Sequence, residues 1–387
     1  MKRSRMTLVL AATVSMLLAA CTGGAAPASP AASAPSASAS ASTEPSASAP
    51  AELTKVSLQL QWAPQAQFAG YFAAKDQGFY EAAGLDVTFL DGGPTVVPQQ
   101  VGSAPDGPEF TISWVPKVLE AREAGSDLVN IAQIFQRSGT LSVSWKDSNI
   151  TKPADFKGKK VGVWDFGNEF EVTAGAKKAG LEQGTDYEKV IQPFDMTLLL
   201  SKQIDVAEAM IYNEYAQVLE AANPETGELY QPTDLNVINW NDEGTAMLQD
   251  ALFARAAWLA EAGNEDIAKA FLKASFQGWA YCRENPDDCI QSTVDAGSQL
   301  PAGHQRWMMN EINPLIWPSP NGIGIMDPAL WQQTVDVSLG AGVIKAAPPA
   351  EAYRTDLAEA ALAELSDTDT KGESFTKGTV EVTAGGN

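Results

Sequence analysis

The segment 56–90, VSLQLQWAPQAQFAGYFAAKDQGFYEAAGLDVTFL, constrains the fold most, because its hydrophobic period changes twice. Apolar and polar residues first alternate as in a strand, and Pro64 ends that strand because it cannot donate a ladder hydrogen bond. Residues 67–77 contain no helix breaker, and Gly78 suits the left-handed position that ends a helix. Strand alternation returns over 85–89. This order predicts two parallel strands joined by a crossover helix, with any ligand outside their carboxyl ends.

The run WAPQAQFAGYFAAKDQGFYEAAGLDV, from Trp62 to Val87, resembles the opening of periplasmic solute-binding proteins of the thiamine-pyrimidine precursor type. These proteins belong to the broader nitrate, sulfonate and taurine binding superfamily. The resemblance covers about residues 55–365. It implies an α/β class fold of the type II periplasmic binding protein kind, with two Rossmann-like lobes joined by a two-segment hinge that closes on a ligand.

Alternating strand and helix patterns continue along the chain and predict where the two lobes begin and end. Residues 54–140 together with 241–365 are expected to form lobe one, and residues 141–240 to form lobe two. The segment 136–139, QRSG, is interpreted as the first crossing between them. The polar, Gly/Thr-rich segment 366–387 is expected to be a flexible tail.

The N-terminus predicts export and a lipid anchor. A basic head precedes an apolar run over 8–20 that is too short to span a bilayer comfortably, and residues 1–21 therefore read as a signal peptide. The run ends Leu-Ala-Ala-Cys, which resembles a lipoprotein cleavage box and predicts lipidation of Cys21. Residues 22–53 are almost wholly Ala, Ser, Pro and Gly, a composition expected of a disordered tether. We therefore expect an extracytoplasmic protein anchored to the cell membrane.

The net charge limits the classes of binding partner, and the cysteine content limits the possible disulfides and metal sites. The net charge is −22, with 48 acidic and 26 basic residues, which argues against nucleic acid and anionic membrane surfaces. Cys282 and Cys289 are seven positions apart in a chain expected to be exported, so a disulfide is favoured, stabilising by about 2–3 kcal/mol. A zinc site would need two more ligands, and the chain has a single histidine, His304. Neither a metal nor a cofactor is expected.

Aromatic and polar residues cluster after the predicted strands, where the cleft of such a fold lies. Trp62, Trp114 and Trp164 each follow a predicted strand. For any one of them, the alternative that its side chain simply fills the core stays open. Carboxylates beside such rings could accept hydrogen bonds from an aminopyrimidine, although Glu169 and Glu214 could also be ordinary first-turn acids of helices. The candidate ligand contacts are Trp62, Gln65, Phe68, Tyr71, Trp114, Gln136, Ser138, Trp164, Asn168, Glu169, Asp195, Tyr212, Asn213 and Glu214.

The resemblance implies a monomeric substrate-binding lipoprotein of an ABC importer, working with a permease and an ATPase. Its ligand would be a planar heteroaromatic vitamin precursor of the thiamine-pyrimidine type, with riboflavin as the first alternative. Nitrate, sulfonate or taurine is the second alternative, disfavoured by acids at the helix starts where an anion would bind. A sensor subunit that presents its closed form to a membrane receptor also stays open.

Catalysis is not expected. The sequence contains no G-x-S-x-G elbow, H-E-x-x-H motif or phosphate-cradling glycine loop. The fungal thiamine-pyrimidine synthase shares the fold and uses a lysine, a histidine and a cysteine-rich stretch. Lys75 stands in the first predicted helix here, but the cysteine-rich stretch is absent.

Overall fold

The computed structural model describes residues 52–387. The signal peptide, Cys21 and all but the end of the 22–53 tether lie outside the described residues. Ten strands are present: β1 Thr54–Gln59, β2 Leu85–Leu90, β3 Phe110–Ser113, β4 Leu128–Gln133, β5 Thr140–Trp145, β6 Lys160–Val163, β7 Glu188–Ile191, β8 Val206–Met210, β9 Leu235–Asn239 and β10 Ala251–Arg255.

The described part of the chain has fourteen α-helices, besides short 3-10 turns. They are α1 Ala69–Asp76, α2 Phe79–Ala82, α3 Pro98–Gly102, α4 Val115–Glu123, α5 Phe170–Lys178, α6 Thr197–Leu200, α7 Glu214–Leu219, α8 Trp240–Glu243, α9 Ala256–Leu259, α10 Asn264–Glu284, α11 Pro286–Asp295, α12 Ala302–Ile316, α13 Pro328–Ala341 and α14 Asp356–Ala363. Helices α11 and α12 were not predicted. None of the described helices is both long and apolar enough to cross a membrane.

The opening strand–helix–strand unit is confirmed. β1 and β2 pair in parallel along their whole length, with Val56 opposite Val87. The helical stretch between them breaks at Gly78, which has φ +72° and lies between α1 and α2. Such a left-handed conformation costs glycine little because it has no Cβ atom.

The strands form two five-stranded sheets, which confirms the two-lobed α/β fold. The first sheet has the order β2-β1-β3-β10-β4 and the second has the order β7-β6-β8-β5-β9. The first sheet takes four strands that precede β5 and one strand, β10, that follows β9, whereas the second sheet uses only strands β5 to β9. The exact lobe boundaries stay a prediction.

The sheets are mixed rather than wholly parallel, contrary to the expectation of parallel layers. β10 runs antiparallel to both β3 and β4, and β5 runs antiparallel to both β8 and β9. These two strands directly follow the crossings between the sheets. The chain therefore enters each sheet from the side facing the other sheet, where the parallel strands end. The strand that follows each crossing, β5 or β10, runs in the direction opposite to the parallel strands beside it.

Helix α10 packs closely across α1 beneath the first sheet. A Cβ atom on Gly278 would lie 2.0 Å from the Gly70 carbonyl oxygen, so the two backbones approach more closely than any larger residue would allow. At the far end of α10, Cys282 and Cys289 are joined by a disulfide, with Cα atoms 5.5 Å apart, at the junction with α11. Both cysteines are fully buried in the core.

The C-terminal segment 366–387 is packed against the molecule, contrary to the expectation of a flexible tail. Backbone hydrogen bonds join Ile323 N to Thr370 O and Gly385 N to Glu220 O. Lys377 Nζ lies 2.5 Å from the buried Glu311 carboxylate. The low hydrophobicity of this segment suggested fraying, but polar contacts pair it with distant residues, and Phe375 and Val382 pack against buried hydrophobic residues.

Candidate ligand-binding site

A cavity that is open to solvent lies between the two sheets, with about 380 Å³ of empty space including that solvent. It is lined by Gln61, Trp62, Gln65, Gln67, Trp114, Trp164, Asn168, Phe194, Met210, Tyr212, Asn213 and Glu214. Most of these residues follow the carboxyl ends of β1, β3, β6, β7 and β8, so both sheets contribute. This is where parallel α/β sheets present their ligands. We call this cavity the first chamber.

Aromatic rings form one wall of the first chamber. Phe194 stands beside Trp62, with ring centroids 4.4 Å apart and planes tilted by 52°. It also stacks on Trp164, at 5.8 Å and 20°. Trp62 is half-buried and belongs to the first sheet's half, while Phe194 and Trp164 follow strands of the second. A flat ligand ring would meet aromatic faces from both sides of the cleft.

A buried carboxylate under the floor holds several lining side chains in place. Asp250 accepts a hydrogen bond from Trp114 Nε1 on one oxygen and from Gln67 Nε2 on the other, both at 2.8 Å. Gln65 Nε2 in turn donates to Gln67 Oε1 at 2.6 Å. Burial raises the pKa of Asp250 to about 6, despite these hydrogen bonds. The Asp250 network therefore fixes the orientation of three polar or aromatic groups at the cavity floor.

The opposite wall carries a second buried carboxylate, Glu214, at the start of α7. Its two oxygens accept hydrogen bonds from Met210 N and Asn213 Nδ2, both at 2.9 Å. Burial raises the pKa of Glu214 to about 7. Asn213 makes no side-chain capping bond to α7, whereas Glu214 lies in the first turn of that helix, as the first-turn-acid alternative expects. Glu214 is the single carboxylate among the residues that line the first chamber, which include no Lys, Arg or His.

The chain's single histidine supports this wall from behind. His304 is fully buried, and its Nδ1 lies 2.8 and 2.9 Å from the two oxygens of Glu220. Its Nε2 lies 3.0 Å from Asn213 Oδ1. Both ring nitrogens thus face acceptors, and both donate only in the imidazolium form. Asn213 in turn donates a hydrogen bond to Glu214, so a continuous chain of hydrogen bonds connects Glu220 with the cavity.

A third buried carboxyl lies at the crossings between the sheets rather than in the cavity. Glu171 of α5 contacts Ser138 Oγ at 2.7 Å in the first crossing and Met247 N at 2.9 Å in the second. Gln249 Nε2 lies 3.4 Å away and also donates to Thr140 Oγ1 at 2.6 Å. Burial raises the pKa of Glu171 to about 8. This hinge network ties both crossings to one helix.

The structure brings eight of the predicted contacts together in the first chamber: Trp62, Gln65, Trp114, Trp164, Asn168, Tyr212, Asn213 and Glu214. Whether these residues bind a ligand stays a prediction. The other six predicted contacts, Phe68, Tyr71, Gln136, Ser138, Glu169 and Asp195, are not among the residues that line it.

Those six residues have other partners in the structure. Phe68 and Tyr71 are core residues, and Tyr71 meets Trp279 edge to face. Gln136 Nε2 donates to Gln133 O, and Ser138 belongs to the hinge network. Glu169 accepts from Gly167 N, and Asp195 accepts from Thr197 N ahead of α6.

Several cavity residues were not among the predicted contacts. Phe194 and Met210 stand at or just beyond strand ends, as the predicted tryptophans do, so the same rule could have found them. Asp250, which lies under the cavity floor, and Lys117, which contacts two lining residues, do not follow a strand end and gave no such signal. Lys117 is only 4% exposed, lies 4.3 Å above the Trp114 ring and donates to Asn168 Oδ1 at 2.6 Å. Among residues 52–387, no group of three or more His, Cys, Asp or Glu side chains could hold a metal ion.

The two sheets and the cleft between them define a two-lobed protein of the periplasmic binding protein fold. A solved structure of the aliphatic sulphonate binding protein SsuA from Escherichia coli shares this fold, with a TM-score of 0.56 and 17% identity, covering 76% of this chain and 89% of that one. Residues 65–289 match the family described as NMT1/THI5 like, and the chain belongs to that family.

Two relatives are similar to this chain in sequence over more than half of its length. The riboflavin-binding protein RibY of Chloroflexus aurantiacus is 26% identical over 304 residues, covering 76% of this chain and 83% of the relative. The formylaminopyrimidine-binding protein of Halalkalibacterium halodurans is 23% identical over 243 residues, covering 62% of this chain and 69% of the relative.

Proposed function

We propose that this protein is the extracytoplasmic substrate-binding component of an ABC importer and that it captures a planar heteroaromatic vitamin precursor between its lobes. The observation that carries the proposal is the first chamber, in which aromatic faces from both sheets oppose a buried acid, Glu214. A ring with amine or protonated-nitrogen donors would stack on Trp62 and Phe194 and donate to that acid. The names of the two relatives point to the same class of ligand.

The chemistry of the chamber disfavours a small anion such as nitrate or a sulfonate. An anion would require cationic side chains or helix N-termini free of acids. The residues lining the first chamber provide no cation, and Glu214 occupies the start of α7. The similarity in fold to a sulphonate binding protein is therefore, in this proposal, not accompanied by the same class of ligand.

The lipid anchor at Cys21, the monomeric state and the partnership with a permease and an ATPase belong to the same proposal. An anchored binding protein needs a linker between membrane and folded domain, and the composition of residues 22–53 suits that role. Metabolic labelling with a fatty acid tests the anchor, because Cys21→Ser abolishes incorporation if the cleavage box is used.

Calorimetric and thermal-shift screening of the folded domain tests the ligand class. Hydroxymethyl-aminopyrimidine, its formylamino derivative, riboflavin, taurine and nitrate form the panel. A ligand at a hundredfold excess over its Kd raises the free energy of unfolding by about 2.7 kcal/mol. We expect a heteroaromatic compound to give such a gain and the anions to give none. A gain with taurine or nitrate alone would overturn the proposal.

A matched pair of tryptophan variants shows whether stacking contributes. Trp62→Ala should weaken ligand binding by about tenfold, because it removes one aromatic face and its buried area. Trp145 is also half-buried and packs on Tyr230 at 4.7 Å, but it is not among the residues lining the cavity. Trp145→Ala should therefore leave the affinity unchanged. Equal losses in the two variants would remove the argument for stacking.

A further inference from the structure

A second chamber, also open to solvent and with about 350 Å³ of empty space, adjoins the first. The two chambers share Gln61, Trp62, Asn168 and Phe194, which therefore lie at the boundary between them. The remaining lining of the second chamber is Gly93, Pro94, Val96, Val97, Pro98, Gln99, Lys117 and Phe166. Its walls are thus mostly apolar, with a few polar groups.

Two of those polar groups favour a ligand. Lys117 is almost fully buried, and its ammonium group is the one cation among the residues lining either chamber. Gln61 is only 7% exposed, and its Oε1 has no hydrogen-bond partner among the described residues. A buried acceptor without a partner destabilises the folded protein, and a ligand donor would satisfy it.

Phe166 covers the second chamber from the second sheet's side. Its ring is 67% exposed although it is large and apolar, and its backbone has φ +65°, which is unfavourable for a residue with a Cβ atom. An exposed phenylalanine in a strained turn is costly without a contact to make. A ligand filling the second chamber would supply that contact.

The two chambers would be used differently by the two classes of heteroaromatic ligand. A single pyrimidine ring that contacts Glu214 would occupy the first chamber, whereas a fused ring system or a ring with a long substituent would extend into the second. The Trp62–Phe194 pair lies on the shared boundary, so a ligand that extends through both chambers would contact both rings.

We infer that the ligand extends through both chambers: its donor-bearing ring contacts Glu214, and an acceptor-bearing extension reaches Lys117, with a donor for Gln61 between them. Lys117 is then a specificity-determining residue for a fused or extended heteroaromatic ligand. This inference rests on the proposed function and narrows its ligand class. Burial lowers the pKa of Lys117 to about 8, so the ammonium form persists at neutral pH.

The test compares ligands that differ in length. Calorimetry on the folded protein would use hydroxymethyl-aminopyrimidine as the single-ring probe, lumichrome as a tricyclic ring alone, and riboflavin as a tricyclic ring with a polyol extension. We expect an extended probe to bind more tightly than the single ring. In Lys117→Met, the affinity of that extended probe should fall by about tenfold or more, with less than about a twofold change for the single ring.

A second variant removes the space instead of the charge. Val97 is half-buried and lines only the second chamber of the two, so Val97→Phe should exclude the extended probes and leave the single ring unaffected. Because Lys117 also contacts Asn168 across the cleft, an equal loss for all probes in Lys117→Met would indicate a closure effect and overturn the assignment. Tight binding of the single ring alone would overturn this inference and leave the proposed function intact. Failure of every heteroaromatic probe would overturn both.

Discussion

The hinge network around Glu171 and the cavity-wall network around Glu214 use the same chemistry for different purposes. Each contains a carboxyl that burial shifts upward in pKa, and each accepts hydrogen bonds from backbone and side chain. Glu171 contacts groups from both crossings and lies outside both chambers, whereas Glu214 lines the first chamber and continues outward through Asn213 to His304. Burial and a raised pKa are therefore common to both acids, and only Glu214 also lines the cavity, which makes it the candidate ligand contact.

The largest effect should come from removing the hinge carboxyl. Glu171→Ala leaves Ser138 Oγ and Met247 N without their partner and opens a cavity, so we expect the free energy of unfolding to fall by about 2–4 kcal/mol. Chemical denaturation measures this loss. Glu171→Gln keeps the shape and the hydrogen-bonding capacity of a neutral carboxyl and should cost far less. Similar losses in the two variants would mean that the network depends on a negative charge.

The corresponding change in the cavity wall should alter binding more than stability. Glu214→Gln keeps an acceptor for Met210 N but removes the charge, and we expect the affinity for the heteroaromatic ligand to fall by about 1.5–3 kcal/mol. Calorimetry on this variant and on Glu171→Gln provides the comparison. If the hinge variant lost as much affinity as the cavity variant, the distinction between the two networks would be wrong.

This distinction marks the limit of what local sequence patterns could predict. Trp62, Trp114 and Trp164 were found because each follows a strand, and the position of a strand end is a local property. Phe68 and Tyr71 lie in the core instead of lining the cavity, because helical spacing identifies a face of a helix without showing whether that face meets the cleft or the core.

The buried charges were harder to predict because their partners are distant in the chain. Asp250 holds Trp114 from 136 residues away, and Glu171 gains its role from two crossings that come together only in the folded chain. The antiparallel strands β5 and β10 were missed for a similar reason. Their direction depends on how the chain crosses between the sheets, and no period within the strand records it.

The pH dependence of stability provides a finer comparison. The folded-state pKa of Glu171, about 8, lies above its ordinary value, so the folded protein holds a proton that the unfolded chain releases. Stability from this group is complete below about pH 4.5 and is lost as the pH rises towards 8, at no more than about 1.4 kcal/mol per pH unit. Glu214 and Asp250 act in the same direction, and Lys117 acts in the opposite direction above about pH 8.

Denaturation curves between pH 5 and pH 8 measure this slope. Glu171→Gln should reduce the slope of stability against pH, because the amide does not titrate and only the other buried acids still contribute. Substitution of the exposed Glu182 by Gln should leave the slope unchanged. A wild-type stability that rose with pH over this range would contradict the assignment of raised pKa values to these buried acids.

The smallest effect concerns the support behind the cavity wall. His304 joins Glu220 to Asn213, and Gly385 N donates to Glu220 O at 3.1 Å, so the C-terminal segment also contributes to holding this wall. In His304→Gln one amide group replaces two ring nitrogens that point in different directions, so we expect the new side chain to contact only one of these partners at a time. We expect the ligand affinity to fall by about threefold, as for the loss of one ordinary hydrogen bond, because Asn213 and Glu214 become less firmly oriented.

Deletion of residues 384–387 provides an independent test of the same wall, since it removes the contact from Gly385 without touching the cavity. It should weaken binding in the same direction as His304→Gln, and the combined variant should show less than the sum of the two losses, because both act through Glu220. Fully additive losses, or a fall in thermal stability with unchanged affinity, would show that His304 and the C-terminal segment stabilise the fold without positioning the ligand-binding wall.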